Sequence, residues 1–252
     1  RRDSWEEVSA VVAGFGVSGF AAADNLTHLG ARVLALDEAT SDEKAERAQL
    51  LEILGVDVRL GPGATATLPD AVDLVVTSPG WRPDAALLVQ ARARGIPVWG
   101  EVELAWRLRD PEHPAPWLVV TGTNGKTTTV QMLDAILQAA GLRSAAVGNV
   151  GRPIVEAVMD PTPYDVFAVE LSSFQLHYTS SMRAESATVL NVAEDHLDWY
   201  TSMADYAADK ARAYRGVERA CIYNVADPET ERLVREAEVE EGARAIGFTL
   251  GM

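Results

Sequence analysis

The stretch GTNGKTTT, Gly122 to Thr129, joins the apolar run WLVVT to residues that recur at helical spacing, Val130, Leu133, Ile136 and Leu137. Backbone N–H groups in a glycine-rich loop, added to the positive end of the helix that follows, attract phosphate. Gly122, Thr123, Asn124, Gly125, Lys126, Thr127 and Thr128 are therefore candidate nucleotide-binding residues, with Lys126 reaching the β- and γ-phosphates and the Thr127 hydroxyl on Mg²⁺. The loop is shorter than the general GxxxxGK[ST] form, since Val120 stands where the first glycine would be. An ordinary glycine turn between strand and helix is the competing explanation, and the flanking pattern favours the nucleotide.

Two further constellations could do chemistry. Gly14, Gly16 and Gly19 complete a GxGxxG after the short apolar run at Val8, and the strand ARVLALD ends on Asp37, 18 positions beyond Gly19. Strand, glycine turn, helix, strand and terminal acid form the dinucleotide fingerprint, which alone would point to an NAD-dependent dehydrogenase. Downstream, Glu170 interrupts the run VFAVELSSFQL, read as one buried strand, where a carboxylate is costly unless it meets a cation such as Mg²⁺. Glu194, Asp195, His196 and Asp198 crowd directly after another strand, so His196 could face a metal or a phosphate. Lys210 lies in the helical segment MADYAADKARAY, and spacing alone gives it no role beyond a solvated face.

The elements that must position these residues alternate between strand and helix, which predicts an α/β chain with parallel sheets. A charged helix is expected from Ser41 to Leu54, the short strand VDVRL after it, and then a strand from Val72 ending in Thr77-Ser78-Pro79-Gly80. That proline–glycine turn stands at the sheet edge where α/β folds take their ligands. The helix Asp84 to Arg94, a strand near Ile96 to Trp99 and the helix Glu101 to Arg109 complete a first unit. DPEHPAP, Asp110 to Pro116, has three prolines in seven residues and reads as a linker. The expected domains are 1–112, Rossmann-like, and 113–252, a P-loop-type ATPase α/β domain.

Bulk properties narrow the function classes. A 252-residue chain with 48% hydrophobic residues is globular in composition, and its formal charge of −15 argues against a nucleic-acid or anionic-membrane partner. The single Cys221, in the apolar run ACIYN, is expected to be a buried small hydrophobe. One cysteine, no apolar run near eighteen residues and no signal peptide fit a cytoplasmic protein.

GTNGKTTT, GNVGRP, ELSSFQL and NVAEDHLD together closely resemble the Mur ligases of peptidoglycan synthesis, ELSSFQL being the most discriminating. They point within that family to the branch adding D-glutamate to UDP-N-acetylmuramoyl-L-alanine rather than to the L-alanine-adding branch. The resemblance implies an ATP-dependent acid–D-amino-acid ligase working through an acyl phosphate, with two Mg²⁺ sites, and a monomer is expected. It turns the GxGxxG domain from an NAD site into a UDP site, with Gly16, Val17 and Ser18 at the diphosphate and Asp37, Ser78, Pro79 and Gly80 bordering the uridine. It also implies that Lys126 and Thr127 bind ATP and Mg²⁺, that Glu170 holds the same magnesium, and that His196 holds a second. Asn149 and Ser172 would lie near the muramoyl substrate, and Lys210 would be the lysine that CO₂ carbamylates into a carboxylate-like metal ligand. Members of the family carry a third domain that binds D-glutamate. This chain opens on arginine and stops at Met252, so it is expected to be an incomplete piece that does not ligate alone.

Overall fold

A computed structural model describes residues 4–250. They fall into two compact units, one running to Leu108 and including Pro153–Met159, the other comprising Arg109–Arg152 and the chain from Asp160 onward. The short segment 153–159 thus belongs with the first unit, not with the second, where a boundary drawn at the proline-rich linker puts it. Its helix packs on a helix of the first unit, and that contact outweighs its place in the chain.

The first unit is built on a parallel five-stranded sheet, β1 Ser9–Ala13, β2 Arg32–Asp37, β3 Asp57–Leu60, β4 Leu74–Thr77 and β5 Val98–Gly100, in the order β3-β2-β1-β4-β5. Helices α1 Val17–His28, α2 Asp42–Ile53, α3 Ala86–Ala93 and α4 Glu101–Leu108 alternate with the strands. Strands β1 and β4 are buried along almost their whole length, as the apolar runs require of a sheet covered on both faces. Strand order reverses at β1, so the turns after β1 and β4 emerge side by side at the carboxyl edge, where such sheets bind ligands. Ser78 N–H donates to the Ala13 carbonyl at 2.9 Å and Ser78 Oγ to the Gly14 carbonyl at 2.8 Å, which closes that edge.

The second unit carries a parallel six-stranded sheet of β6 Trp117–Thr121, β7 Ser144–Gly148, β8 Val166–Glu170, β9 Ser186–Val189, β10 Ala220–Asn224 and β11 Arg244–Phe248. Their order is β11-β10-β9-β6-β8-β7, which puts β6 between β8 and β9. The connecting helices are α5 Lys126–Ala139, α6 Ile154–Val158, α7 Ser173–His177, α8 Met203–Ala211 and α9 Pro228–Arg235, with a 3₁₀ turn at Arg212–Tyr214 after α8. Of these α6 sits in the first unit.

Two local expectations change. VFAVELSSFQL is not one strand: β8 stops at Glu170, and Ser172 opens α7 with a capping box in which its side chain meets Gln175 N–H and Gln175 reaches back to the Ser172 N–H. The serine and glutamine satisfy orphan donors that an apolar strand would leave in the ladder. In α5 only Val130 is fully buried, while Leu133 and Leu137 pack partly against Val120 and Ala168 and Ile136 is 63% exposed. Cys221 is buried, as its apolar setting implied. No helix among the described residues is long and apolar enough to cross a membrane.

Candidate functional site

The glycine-rich loop leaves β6 at Gly122, whose φ of 150° and close approach to Leu190 on the neighbouring connection exclude a side chain. Gly125, at φ 84°, caps α5 from the left-handed region, the conformation that lets consecutive N–H groups converge on an anion. Thr127 and Thr128 lie exposed in the first helical turn. The loop is held from outside by Asn191, just past β9. Its Oδ1 accepts from Asn124 N–H at 2.9 Å, its Nδ2 donates to the Asn124 carbonyl at 3.0 Å, and its own carbonyl accepts from Thr123 N–H. Nothing in sequence spacing singles out Asn191; only the pairing of β6 with β9 brings it to the loop.

Two lysines meet here. Lys126 Nζ donates to the carbonyls of Gly122 and Thr123, each at 3.0 Å, and Lys210 Nζ donates to the same Gly122 carbonyl at 2.9 Å. Lys210 is 2% exposed, which overturns the solvated face assigned to it from helical spacing. Burial, followed by the positive charge of Lys126, pushes its ammonium down to about 7, with Asp195 acting weakly the other way. Near neutrality a substantial fraction of Lys210 is therefore a free amine, the nucleophilic form of lysine.

On the other side of β6, the register pairs Val120 with Glu170, so this carboxylate stands at the root of the loop. Glu170 is 1% exposed; Oε1 accepts from Asn149 Nδ2 at 2.8 Å, while Oε2 is buried with no hydrogen-bond partner. Asn149 N–H also donates to the Glu170 carbonyl at 2.9 Å, which fixes the GNVGRP loop to the end of β8. An orphaned carboxylate oxygen beside a phosphate loop fits a hard cation. Among the described residues no three His, Cys, Asp or Glu side chains form a metal cluster. Magnesium does not need one, because it keeps several waters and shares substrate phosphates.

His196 stands apart from that buried set. Its side chain is 42% exposed, 3.4 Å from Asp195 Oδ2, and its ring packs on Phe174 with centroids 4.7 Å apart. Its φ of 55° is left-handed, uncommon for a residue with a Cβ, and such strain concentrates at functional positions. Ser172 caps α7 directly beyond β8, two residues from Glu170. Helix α7 is tied to α8 by Asp209, which contacts His177 Nδ1 at 2.7 Å and Arg212 Nε at 2.8 Å.

In the first unit the three glycines have distinct jobs. A Cβ at Gly19 would fall 1.9 Å from the Gly14 carbonyl oxygen, so helix and turn pack too closely for any side chain. A Cβ at Gly16 would meet nothing within 4 Å, which leaves open space at the start of α1 for a ligand diphosphate. Val17 is 60% exposed beside it, Ser18 half-buried, and the Ser78-Pro79-Gly80 turn lies next to the glycine turn. Asp37 accepts from Phe15 N–H at 3.2 Å, Ala39 N–H at 3.0 Å and Lys44 Nζ at 2.5 Å. Burial opposes its ionised form, but Lys44 and the two amides outweigh burial and hold the carboxyl below its usual range. Lys44, seven residues on, was invisible as a partner because α2 intervenes only in the folded chain.

The profile of the Mur ligase middle domain matches residues 120–251, and that of the Mur ligase MurD-like N-terminal domain matches residues 8–100. The chain is 59% identical over 248 residues to the UDP-N-acetylmuramoylalanine–D-glutamate ligase of Streptomyces avermitilis, covering 98% of this chain and 52% of that protein. It is 60% identical over 242 residues to the ligase of the same name from Streptomyces coelicolor, covering 95% and 51%. The chain thus spans about half the length of the curated relatives it matches. Among solved structures, the UDP-N-acetylmuramate:L-alanyl-γ-D-glutamyl-meso-diaminopimelate ligase from Neisseria meningitides superposes with a TM-score of 0.61 at 20% identity, covering 96% of this chain and 78% of that one. The UDP-N-acetylmuramate–alanine ligase from Thermotoga maritima gives 0.52 at 20% identity, covering 93% and 53%. At these identities the likeness to the solved structures is one of fold.

Proposed function

The chain belongs to the Mur ligase family, and from that premise we propose that it supplies the uridine-nucleotide and ATP sites of the ligase that joins D-glutamate to UDP-N-acetylmuramoyl-L-alanine. The observation that carries this is the convergence of Lys126 and Lys210 on the Gly122 carbonyl, with the unpartnered oxygen of Glu170 at the root of the same loop. In the first unit Gly16, Val17 and Ser18 receive the diphosphate, and Asp37 with Ser78, Pro79 and Gly80 border the uridine. In the second, Gly122 to Thr128 cradle ATP, and Asn149 and Ser172 lie toward the muramoyl group.

The substrate carboxylate attacks the γ-phosphorus of ATP, giving an acyl phosphate and ADP. The D-glutamate amine then adds to the activated carbonyl carbon, and the tetrahedral intermediate expels phosphate as the amide forms. No protein nucleophile is required. Lys126 neutralises the transferring phosphoryl group as charge spreads over its oxygens. Bound magnesium, two ions in this proposal, would lower the repulsion between the anionic reactants. Glu170 and Thr127 would hold one ion, and His196 with carbamylated Lys210 the other. The depressed basicity of Lys210 suits carbamylation, because only the neutral amine adds to CO₂ and the addition releases a proton. The reaction is a cytoplasmic one on small molecules.

An NAD(P)-dependent oxidoreductase shares the GxGxxG and Asp37, so binding separates the two. Calorimetry with this chain is expected to give saturable binding of UDP-N-acetylmuramoyl-L-alanine, weakened about tenfold by Asp37→Ala, and no binding of NADH. Tight NADH binding without uridine-nucleotide binding overturns the proposal.

A further inference from the structure

We propose that Tyr206 is a positioning residue that sets the phosphate loop in register with Lys210. The inference rests on the ATP site proposed above.

Tyr206 lies on α8 one turn before Lys210, so both project from the same face of the helix. It is 1% exposed, yet its hydroxyl is engaged rather than buried without a partner: it lies 3.1 Å from Thr123 Oγ1, inside the phosphate loop. Thr123 Oγ1 also accepts from Ala193 N–H at 3.0 Å, on the connection leading to His196. The face of the same ring carries Lys210 Nζ, 4.4 Å from its centroid, while that ammonium donates to Gly122. The ring edge meets His196 at 6.1 Å and Tyr200 at 5.2 Å between centroids.

One side chain thus touches the loop, the buried lysine and the exposed histidine. A core aromatic needs only volume. A phenolic group bonded to a phosphate-loop hydroxyl, with a cation on its face, couples two elements that must keep their spacing while a charged ligand enters. The hydroxyl supplies direction and the ring supplies the seat for the ammonium. Tyr206 itself need not touch the nucleotide.

The test uses this chain with Tyr206→Phe, which keeps the ring and removes the hydroxyl, with Thr123→Val, and with both together. Binding of Mg²⁺ with a non-hydrolysable ATP analogue is measured by calorimetry, and amide hydrogen exchange by mass spectrometry. Each single variant is expected to weaken analogue binding about tenfold, and the double variant no further, because both remove the same contact. Exchange across Thr123 and Asn124 should accelerate several-fold without nucleotide present, while binding of the uridine substrate to the first unit stays unchanged. If Tyr206→Phe and Thr123→Val leave both loop exchange and analogue affinity at wild-type values, or their effects simply add, the positioning role is overturned. Failure of the wild-type chain to bind the analogue, with the exchange changes still present, instead overturns the ATP site and leaves Tyr206 as a structural tie.

Discussion

Replacing Lys126 with alanine in a full-length ligase carrying these residues lowers ATP-dependent acyl-phosphate formation by roughly a thousandfold, the scale on which deleting one preorganised charge-stabilising donor acts. The ammonium is held 3.0 Å from both the Gly122 and Thr123 carbonyls, so it is oriented before any nucleotide arrives and little reorganisation opposes its use. Arginine should not rescue, because a planar guanidinium cannot make both carbonyl contacts from the first turn of α5 as a compact ammonium does. The affinity for the uridine substrate should be unchanged, since its proposed residues belong to the other unit. Single-turnover phosphate release from ATP, compared with uridine-substrate affinity, separates these effects. A loss of less than tenfold would make the loop a non-catalytic nucleotide-binding element. Lys210 sharpens the expectation: with Lys126 gone, one of the two causes depressing Lys210 disappears, and its ammonium becomes harder to deprotonate.

Much of this site is legible in the sequence because its parts are local. The loop GTNGKT, the GxGxxG and the acid closing β2 are written within single strand–turn–helix units, where glycine spacing and apolar runs suffice. Parallel strands in covered sheets follow from the same alternation. What stayed hidden depends on strand order. Asn191 reaches the loop because β9 pairs with β6, and Glu170 stands at its root because β8 pairs with the other edge. Lys210 looked solvated because a lone lysine on a helix carries no sign of the tyrosine one turn earlier that buries it. The strand misjudged at ELSSFQL shows the opposite limit: its capping signal, Ser172 with Gln175, was present, but the apolar run outweighed it. Segment 153–159 is hardest of all, because its attachment to the first unit depends on a carboxylate more than fifty residues earlier.

That carboxylate is Glu101, and it makes the first unit less stable as pH rises. Glu101 opens α4, is 2% exposed, and its Oε1 accepts from Val155 N–H of α6 at 2.6 Å while Oε2 is buried with no partner. Burial raises its carboxyl from 4.5 to about 7; the amides of Val155 and Ile154 pull the other way, and Glu156 adds to the rise. Between those two values the folded unit keeps a proton that the unfolded chain has already released. Stability from this group is therefore complete below 4.5 and falls until about 7, by on the order of 3 kcal/mol at most. Asp37, whose carboxyl is held low, contributes only on the acid side of that window. Lys210, depressed to about 7, contributes only above it and with the opposite sign. Urea unfolding at pH 5 and pH 7.5, followed by hydrogen exchange in α4 and α6, should show the decline in wild type. Glu101→Gln keeps an oxygen to accept from Val155 but cannot ionise, so its stability should be nearly flat over the same range. Equal pH slopes in the two proteins would mean that the ionisation of Glu101 does not govern how α6 is held.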